Sequence, residues 1–425
     1  MKLKTVGIDI QHSLDYLARF SLTSSKAGVS RLPWTLEDAK AVESLKDVLT
    51  EMGLNVSVDS ANNLWGVWDV GANKSIVIGS HRDSVPNGGT LDGALGVMGA
   101  IEVIRQLKAT HYKPHHNIEV VAWNDEEGAR FGTTLFGSRI YTGAVSPSSL
   151  GNKKDGQSIS IDKAISNVMG YGLDEMIPCN LSRILAYIEL HIEQGPILEL
   201  NNCQIGVVSR VNAQFRKRIS VHGVRVHGAY SGFDRIDPIF GSAQIWSYLQ
   251  SLIEQSNEDS YYPQVVATIG QIDVASHLIN AVPPDITWSL DIRSNEVALA
   301  QEVISELESY IDNLSKKVGF LTEIEKIDDH AVLAGVSDVS RPIVFDAQLQ
   351  NIICQAAKDN HYSYQIMPSW AGHDAMAMAP RVPTAMIFVP SHKGLSHTPE
   401  EWTAPEELAR GVDVLRDSVV NTDEQ

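Results

Sequence analysis

Apolar positions in the first half of the chain recur at two spacings that take turns. Between Glu37 and Met52, Ala39, Val42, Leu45, Leu49 and Met52 lie three or four apart, which predicts a helix that Gly53 stops. Strand-like runs follow at Leu64–Val70 and Ser75–Gly79, then a helix over Gly93–Leu107, a strand over Ile118–Trp123 and another over Ile184–Leu190. Ser, Gly, Asn and Lys in Ser146–Gln157 mark an exposed loop. This alternation is that of an α/β domain.

After Val208 the character changes. Alternating Arg218-Ile219-Ser220-Val221-His222 opens a β-rich block with a helix at Pro238–Gln255, strand signals at Gln264–Val274 and Thr287–Arg293, an amphipathic stretch over Val297–Val318 and a strand over Phe320–Ile327. Beyond residue 330 the α/β pattern resumes, with a helix at Ile343–Lys358 and a strand at Thr384–Val389. The expected architecture is therefore α/β: a mixed-sheet catalytic domain over 1–209 and 330–425, interrupted by an inserted α+β domain over 210–329.

Polar residues capable of chemistry gather where those strands end. His81, Asp83 and Asp92 stand in the glycine-rich run after Ser75–Gly79; Asp125-Glu126-Glu127 follows Trp123; His191 and Glu193 follow Leu190; His397 lies beyond Val389. Loops at the carboxyl ends of parallel strands share one crevice, so ligands far apart in sequence can converge there. His, Asp and Glu without cysteine suit a catalytic divalent ion that keeps a position open for water; zinc is the expected ion, and manganese, cobalt and nickel accept the same set. A carboxylate has two oxygens and can span two ions about 3.5–4 Å apart.

Composition narrows the partners. A chain of 425 residues with 52 acidic against 34 basic side chains has a formal charge of −18, which disfavours nucleic acid and anionic membranes. No apolar run reaches membrane-spanning length. Residues 1–11 are polar with no secretory pattern, and Cys179, Cys203 and Cys354 are few and far apart; reduced thiols in a cytoplasmic protein are expected. His111, His115 and His116 sit in a polar turn and read as surface residues, while His361 and His392 carry no assignment.

Six motifs in order, GSHRDSVPNGGTLDGALGV, NDEEGARF, IELHIEQGPILE, HLINAVPPDITWSLDIR, AGHDA and GLSHTPEEWT, span nearly the whole chain. In them the chain resembles the carbamoylase branch of the dinuclear zinc aminopeptidase and aminoacylase superfamily, which includes allantoate amidohydrolases, N-carbamoyl-L-amino acid hydrolases and β-ureidopropionases. The resemblance implies two divalent ions, one held by His81, Asp92 and His191 and the other by Asp92, Glu127 and His397. It makes Glu126 the general base and Asp83 the carboxylate that orients His81. It also implies that the inserted domain forms a homodimer and acts as a lid, with His227 stabilising the oxyanion from the neighbouring subunit. Asn280 and Arg293 would bind the substrate carboxylate, and Gln194 and Gln214 would line the pocket. For Arg293 a surface or interface salt bridge is the competing reading.

The implied activity is hydrolysis of a linear amide C–N bond in an N-carbamoyl or ureido amino acid, a small carboxylated molecule. An N-acyl amino acid deacylase or dipeptidase on the same two ions is the alternative, and a non-catalytic binding protein is a third. Three departures bear on specificity. The chain reads His227-Gly228-Ala229-Tyr230-Ser231-Gly232 where the family has His-Ala-Gly-Thr-Thr-Pro, Trp370 replaces a glycine, and Arg82 replaces an aliphatic residue. Arg82 either contacts an anion or pairs with an acidic side chain; Trp370 either narrows the pocket or packs under the loop of His373 and Asp374.

Overall fold

The computed structural model describes residues 7–23, 27–258, 260, 262–276, 278–327 and 341–425. These fall into two compact units, one running up to Val211 and resuming at Ile343–Gln425, the other covering 212–327. The return boundary expected at 329/330 lies outside the described residues, as does His277 of the fourth motif.

Up to Val211 the chain forms α1 (Gly7–Ala18), α2 (Leu36–Glu51), β1 (Asn55–Val58), β2 (Leu64–Trp68), β3 (Ser75–His81), α3 (Ala94–Ala109), β4 (Asn117–Trp123), α4 (Phe136–Thr142), α5 (Ile161–Met169), β5 (Ile184–Ile192), α6 (Ile197–Leu200) and β6 (Ile205–Val211). The second unit holds β7 (Ala213–His222), α7 (Pro238–Asn257), β8 (Val265–Thr268), β9 (Ile272–Val274), β10 (Asp285–Ser294), α8 (Val297–Val318) and β11 (Leu321–Lys326). The chain then adds β12 (Ile343–Val344), α9 (Ala347–Asp359), β13 (Tyr364–Ser369), α10 (Ala375–Met378), β14 (Thr384–Val389) and α11 (Pro405–Asp423) to the first unit.

In the first unit nine strands form one sheet in the order β1-β2-β4-β3-β5-β14-β6-β12, with β13 also on β6. Its centre, β4-β3-β5-β14, is parallel, while β1, β2 and β12 pair antiparallel, as β14 does with β6. The sheet is thus mixed, as expected. All seven residues of β3 are buried because helices cover both faces of a parallel centre. Gly79 permits the tightest approach there: at φ 148°, a Cβ on it would stand 1.9 Å from the Val121 carbonyl oxygen of β4.

The second unit is an antiparallel sheet in the order β11-β7-β10-β8, with β9 also on β10. β10 alternates half-buried and buried residues along its length, and α7 and α8 cover the face that presents Ile286, Trp288, Leu290 and Ile292. The strand signals over Gln264–Val274 resolve into β8 and β9, and the helix expected from Ile343 begins only at Ala347, after the short β12 and an N-cap at Asp346 whose side chain accepts the Leu349 N–H at 2.9 Å. β2 stops at Trp68, short of Val70, where the Asp69 carboxylate accepts the Gly71 N–H and turns the chain.

Candidate metal centre

Because β4, β3, β5 and β14 are parallel neighbours, their carboxyl ends lie side by side at one edge of the sheet. His81 is the last residue of β3, Asp125-Glu126-Glu127 leaves the end of β4, His191 is the penultimate residue of β5, and His397 lies in the loop after β14. Asp92 sits in the loop between β3 and α3. Gly93 beside it has φ 66°, and a Cβ there would stand 2.4 Å from the His81 ring, so only glycine lets the loop fold over that imidazole.

The two Asp92 oxygens face different partners. Oδ1 lies 3.3 Å from His81 Nε2 and 3.1 Å from His191 Nε2; Oδ2 lies 3.2 Å from His397 Nε2, which is itself 3.3 Å from Glu127 Oε2. Ligand atoms about 2.0–2.2 Å from a tetrahedral ion stand roughly 3.3–3.6 Å from one another. The residues present therefore fit two ions with Asp92 between them. Buried Glu127 Oε1 and Gln194 Oε1 have no hydrogen-bond partner among the described residues, which leaves unused acceptor capacity on two residues of this group. A further grouping, His81 with Glu126 and Glu127, is close enough to compete for an ion.

Backbone carbonyls set the imidazoles. His191 Nδ1 is 2.9 Å from the Ile192 carbonyl oxygen and His81 Nδ1 is 3.1 Å from that of Asp83; N–H donation to these oxygens leaves both Nε2 atoms as ligands. The Asp83 carboxylate was expected to orient His81. Its Oδ1 is 3.9 Å away, and the carboxylate instead accepts the N–H groups of Glu126 at 3.0 Å and Glu127 at 3.2 Å. Asp83 thus holds the acidic loop in place and serves His81 through its main chain. Asp125, Gln194 and His397 have φ of 55°, 55° and 57°, a left-handed backbone uncommon for residues other than glycine.

Burial raises the Glu126 carboxyl well above its ordinary value; His81 opposes the shift, and Glu127, Asp374 and Asp83 add to it. Burial also acts to raise Asp92, but hydrogen bonds from His191, His397 and His81 outweigh it and the carboxyl ends well below its usual range. His397, hydrogen-bonded to Asp92 and Glu127, is pushed up to about 11. The acids therefore attract protons to the imidazoles, and a divalent cation among them would displace those protons.

Gln194 joins the site, its Nε2–H donating to Asp92 Oδ2 at 2.8 Å. Residues to which the sequence assigned no role lie beneath. His373 is buried with its ring 4.5 Å from that of His191, and Glu189, two positions before His191 on β5, accepts from Ser80 Oγ at 2.6 Å and from the Ala375 N–H at 2.9 Å. The period-two spacing of Glu189 and His191 was the available signal. Arg82 is fully buried, donating to Asp38 Oδ1 at 2.8 Å, Asn124 Oδ1 at 2.7 Å and the Ala122 carbonyl at 3.1 Å, which settles it as the partner of an acidic side chain.

The remaining expected residues belong to the second unit. Asn280 Nδ2 is 3.5 Å from His227 Nε2, both side chains exposed; Gln214 and Arg293 face each other in the β7–β10 register. The Arg293 guanidinium grips Asp291 in its own strand, Nε donating at 2.9 Å, a salt bridge that stands beside the substrate role expected of it. His115 and His116 bind Asp423, and neither they nor His111 join a metal-type group among the described residues. The three cysteines are free, Cys203 and Cys354 buried and Cys179 half-buried. No helix among the described residues is long and apolar enough to cross a membrane.

Known proteins resemble this chain over most of its length. A profile described as peptidase family M20/M25/M40 matches residues 77–421. The chain is 33% identical to an N-carbamoyl-L-amino-acid amidohydrolase of Pseudomonas sp. (strain NS671), covering 98% of this chain and 99% of that one. It is 30% identical to an allantoate amidohydrolase of Bacillus subtilis (strain 168), covering 97% of each. A crystal structure of AtUAH in complex with glyoxylate superposes with a TM-score of 0.86 at 30% identity, over 100% of this chain and 99% of that one. The chain therefore belongs to peptidase family M20/M25/M40 and is a hydrolase of carbon–nitrogen amide bonds, beside the carbamoylases and allantoate amidohydrolases whose motifs it resembles.

Proposed function

We propose that the protein hydrolyses a linear C–N bond of an N-carbamoyl or ureido amino acid at two divalent ions, zinc in the first instance, with Glu126 as general base. The observation that supports this most is the division of the Asp92 oxygens between two ligand sets, with Glu126 Oε2 4.0 Å from His81 Nε2 at their side. His81, Asp92 and His191 would hold one ion, and Asp92, Glu127 and His397 the other. Bound there, the pair would activate a water and polarise the scissile carbonyl. Glu126 takes the proton from the attacking water and returns it to the leaving nitrogen, a task suited to a carboxyl whose proton affinity burial has raised. Gln194 keeps Asp92 oriented and offers its free carbonyl oxygen to substrate.

By resemblance, His227 stabilises the oxyanion and Gln214, Asn280 and Arg293 contact the substrate, with His227 coming from a second copy in a cytoplasmic homodimer. The proximity of His227 and Asn280 supports treating them as one cluster. An Arg fork matched to a carboxylate selects a small acidic substrate.

The test is ammonia and amine release from N-carbamoyl-L-amino acids, allantoate and N-acetyl amino acids, using chelator-stripped protein re-supplied with zinc or manganese. Metal-dependent ammonia from a ureido compound is expected. Amine from acyl compounds without ammonia would replace this reading with the deacylase. Glu126→Gln should lower kcat by about 10²–10⁴-fold with metal content unchanged, and near-normal turnover would remove Glu126 as base.

A further inference from the structure

In GLSHTPEEWT the two adjacent glutamates separate in the fold: Glu400 is exposed and Glu401 is buried. Glu401 Oε1 accepts the N–H groups of Leu91 at 2.8 Å and Asp92 at 3.1 Å, while Oε2 lies 2.9 Å from Ser396 Oγ. The same Ser396 hydroxyl is 2.8 Å from Asp92 Oδ2. The loop of residues 88–93 closes tightly on this carboxylate, for a Cβ on Gly89 would stand 2.0 Å from Glu401 Oε1.

Two supports of unequal stiffness carry the ligands. His81 and His191 stand on β3 and β5, buried and each held in a ladder, His81 opposite Trp123 of β4 and His191 opposite Phe388 of β14. His397 lies eight positions beyond the end of β14, with a left-handed backbone and 49% of its side chain exposed. The base of its loop is closed by the His392 N–H donating to the Trp402 carbonyl and by Thr403 Oγ1 donating to the Pro390 carbonyl. Near His397 itself, Glu401 ties the loop to the main chain of Asp92.

We propose that Glu401 is a positioning residue that clamps the His397 loop onto the Asp92 segment and so determines affinity for the ion shared by Asp92, Glu127 and His397, leaving the ion of His81 and His191 to the strands. This rests on the two-ion reading above. Groups that orient metal ligands typically govern affinity by about 10–100-fold.

Cobalt(II) titration of chelator-stripped protein, followed by its visible absorption and by competition with a chromophoric chelator, tests it on wild type, Glu401→Ala, Glu401→Gln and His397→Ala. Wild type should take two ions and His397→Ala one. Glu401→Ala should weaken the second ion by about 10–100-fold and keep the first at wild-type affinity, which also reports that the sheet is folded. Glu401→Gln should restore the second ion, because its amide oxygen still accepts both N–H groups and its NH₂ can donate to Ser396, leaving the serine hydrogen for Asp92. Wild-type binding of both ions by Glu401→Ala, equal weakening of both, or failure of Gln to rescue overturns the clamp. Fewer than two ions in wild type, or two in His397→Ala, sinks the two-ion reading instead, and the clamp with it.

Discussion

Position 82 shows how neighbouring side chains in an extended segment take opposite duties. His81 directs Nε2 at Asp92, while Arg82 turns into the protein and meets Asp38, on the first turn of α2, through Nε at 2.8 Å and Nη2 at 3.4 Å. Both members of the pair are fully buried. Removing one partner leaves an uncompensated charge in low dielectric, so Arg82→Met should cost about 3–5 kcal/mol in urea unfolding, and Asp38→Leu added to it should recover much of the loss. A single variant within about 1 kcal/mol of wild type, the scale of a solvent-exposed pair, would contradict the structural role. Tyr230, another departure from the family pattern, donates its hydroxyl to Asp234 at 2.7 Å on the exposed surface of the second unit. The metal-type residues were legible as residue types after strands. The job of Asp83 was not, because the choice between its carbonyl and its carboxylate depends on where the acidic loop comes to rest.

Among the elements, β7 and β10 form the longest ladder of the second unit, from Asp285 opposite His222 to Ser294 opposite Ala213. Its alternation was readable because one face is buried under helices. The ladder sets Asp291 opposite Arg216, with Arg293 two positions along on the same face, and both guanidiniums donate to the carboxylate. Burial acts to raise Asp291, but Arg293 and Arg216 outweigh it and the carboxyl titrates below its ordinary range. A depressed folded-state value stabilises above the unfolded value and loses that contribution as pH falls through the folded one. Acid unfolding should therefore lose part of its pH dependence at the low end of the carboxylate range in Asp291→Asn, and an unchanged acid limb would deny the carboxylate this role. Periodicity failed for α11, whose Asp413, Arg416 and Asp417 are buried and paired with one another, so that charged residues occupy core positions and blur the apolar stripe.

For the whole molecule, the second unit exposes Phe233 and Ile279 fully and Phe240, on α7, to 65%. In the homodimer proposed above, exposed apolar side chains such as these are the candidates for burial against the second copy. Sedimentation equilibrium should give a dimer, and Phe240→Glu should shift it toward monomer. If the monomer retained full turnover, the role assigned to a second copy's His227 would fall.

Sequence alone determined which residue types could hold ions, that they follow strands, and the family of hydrolases to which the chain belongs, because these follow from local period and from motifs in order. Tertiary structure decided that β4, β3, β5 and β14 lie side by side, that Asp92 turns one oxygen to His81 and His191 and the other to His397, and that Glu401 reaches across to residues 91 and 92. Strand order and loop closure join residues hundreds of positions apart through packing, and no local pattern records which strand will be whose neighbour.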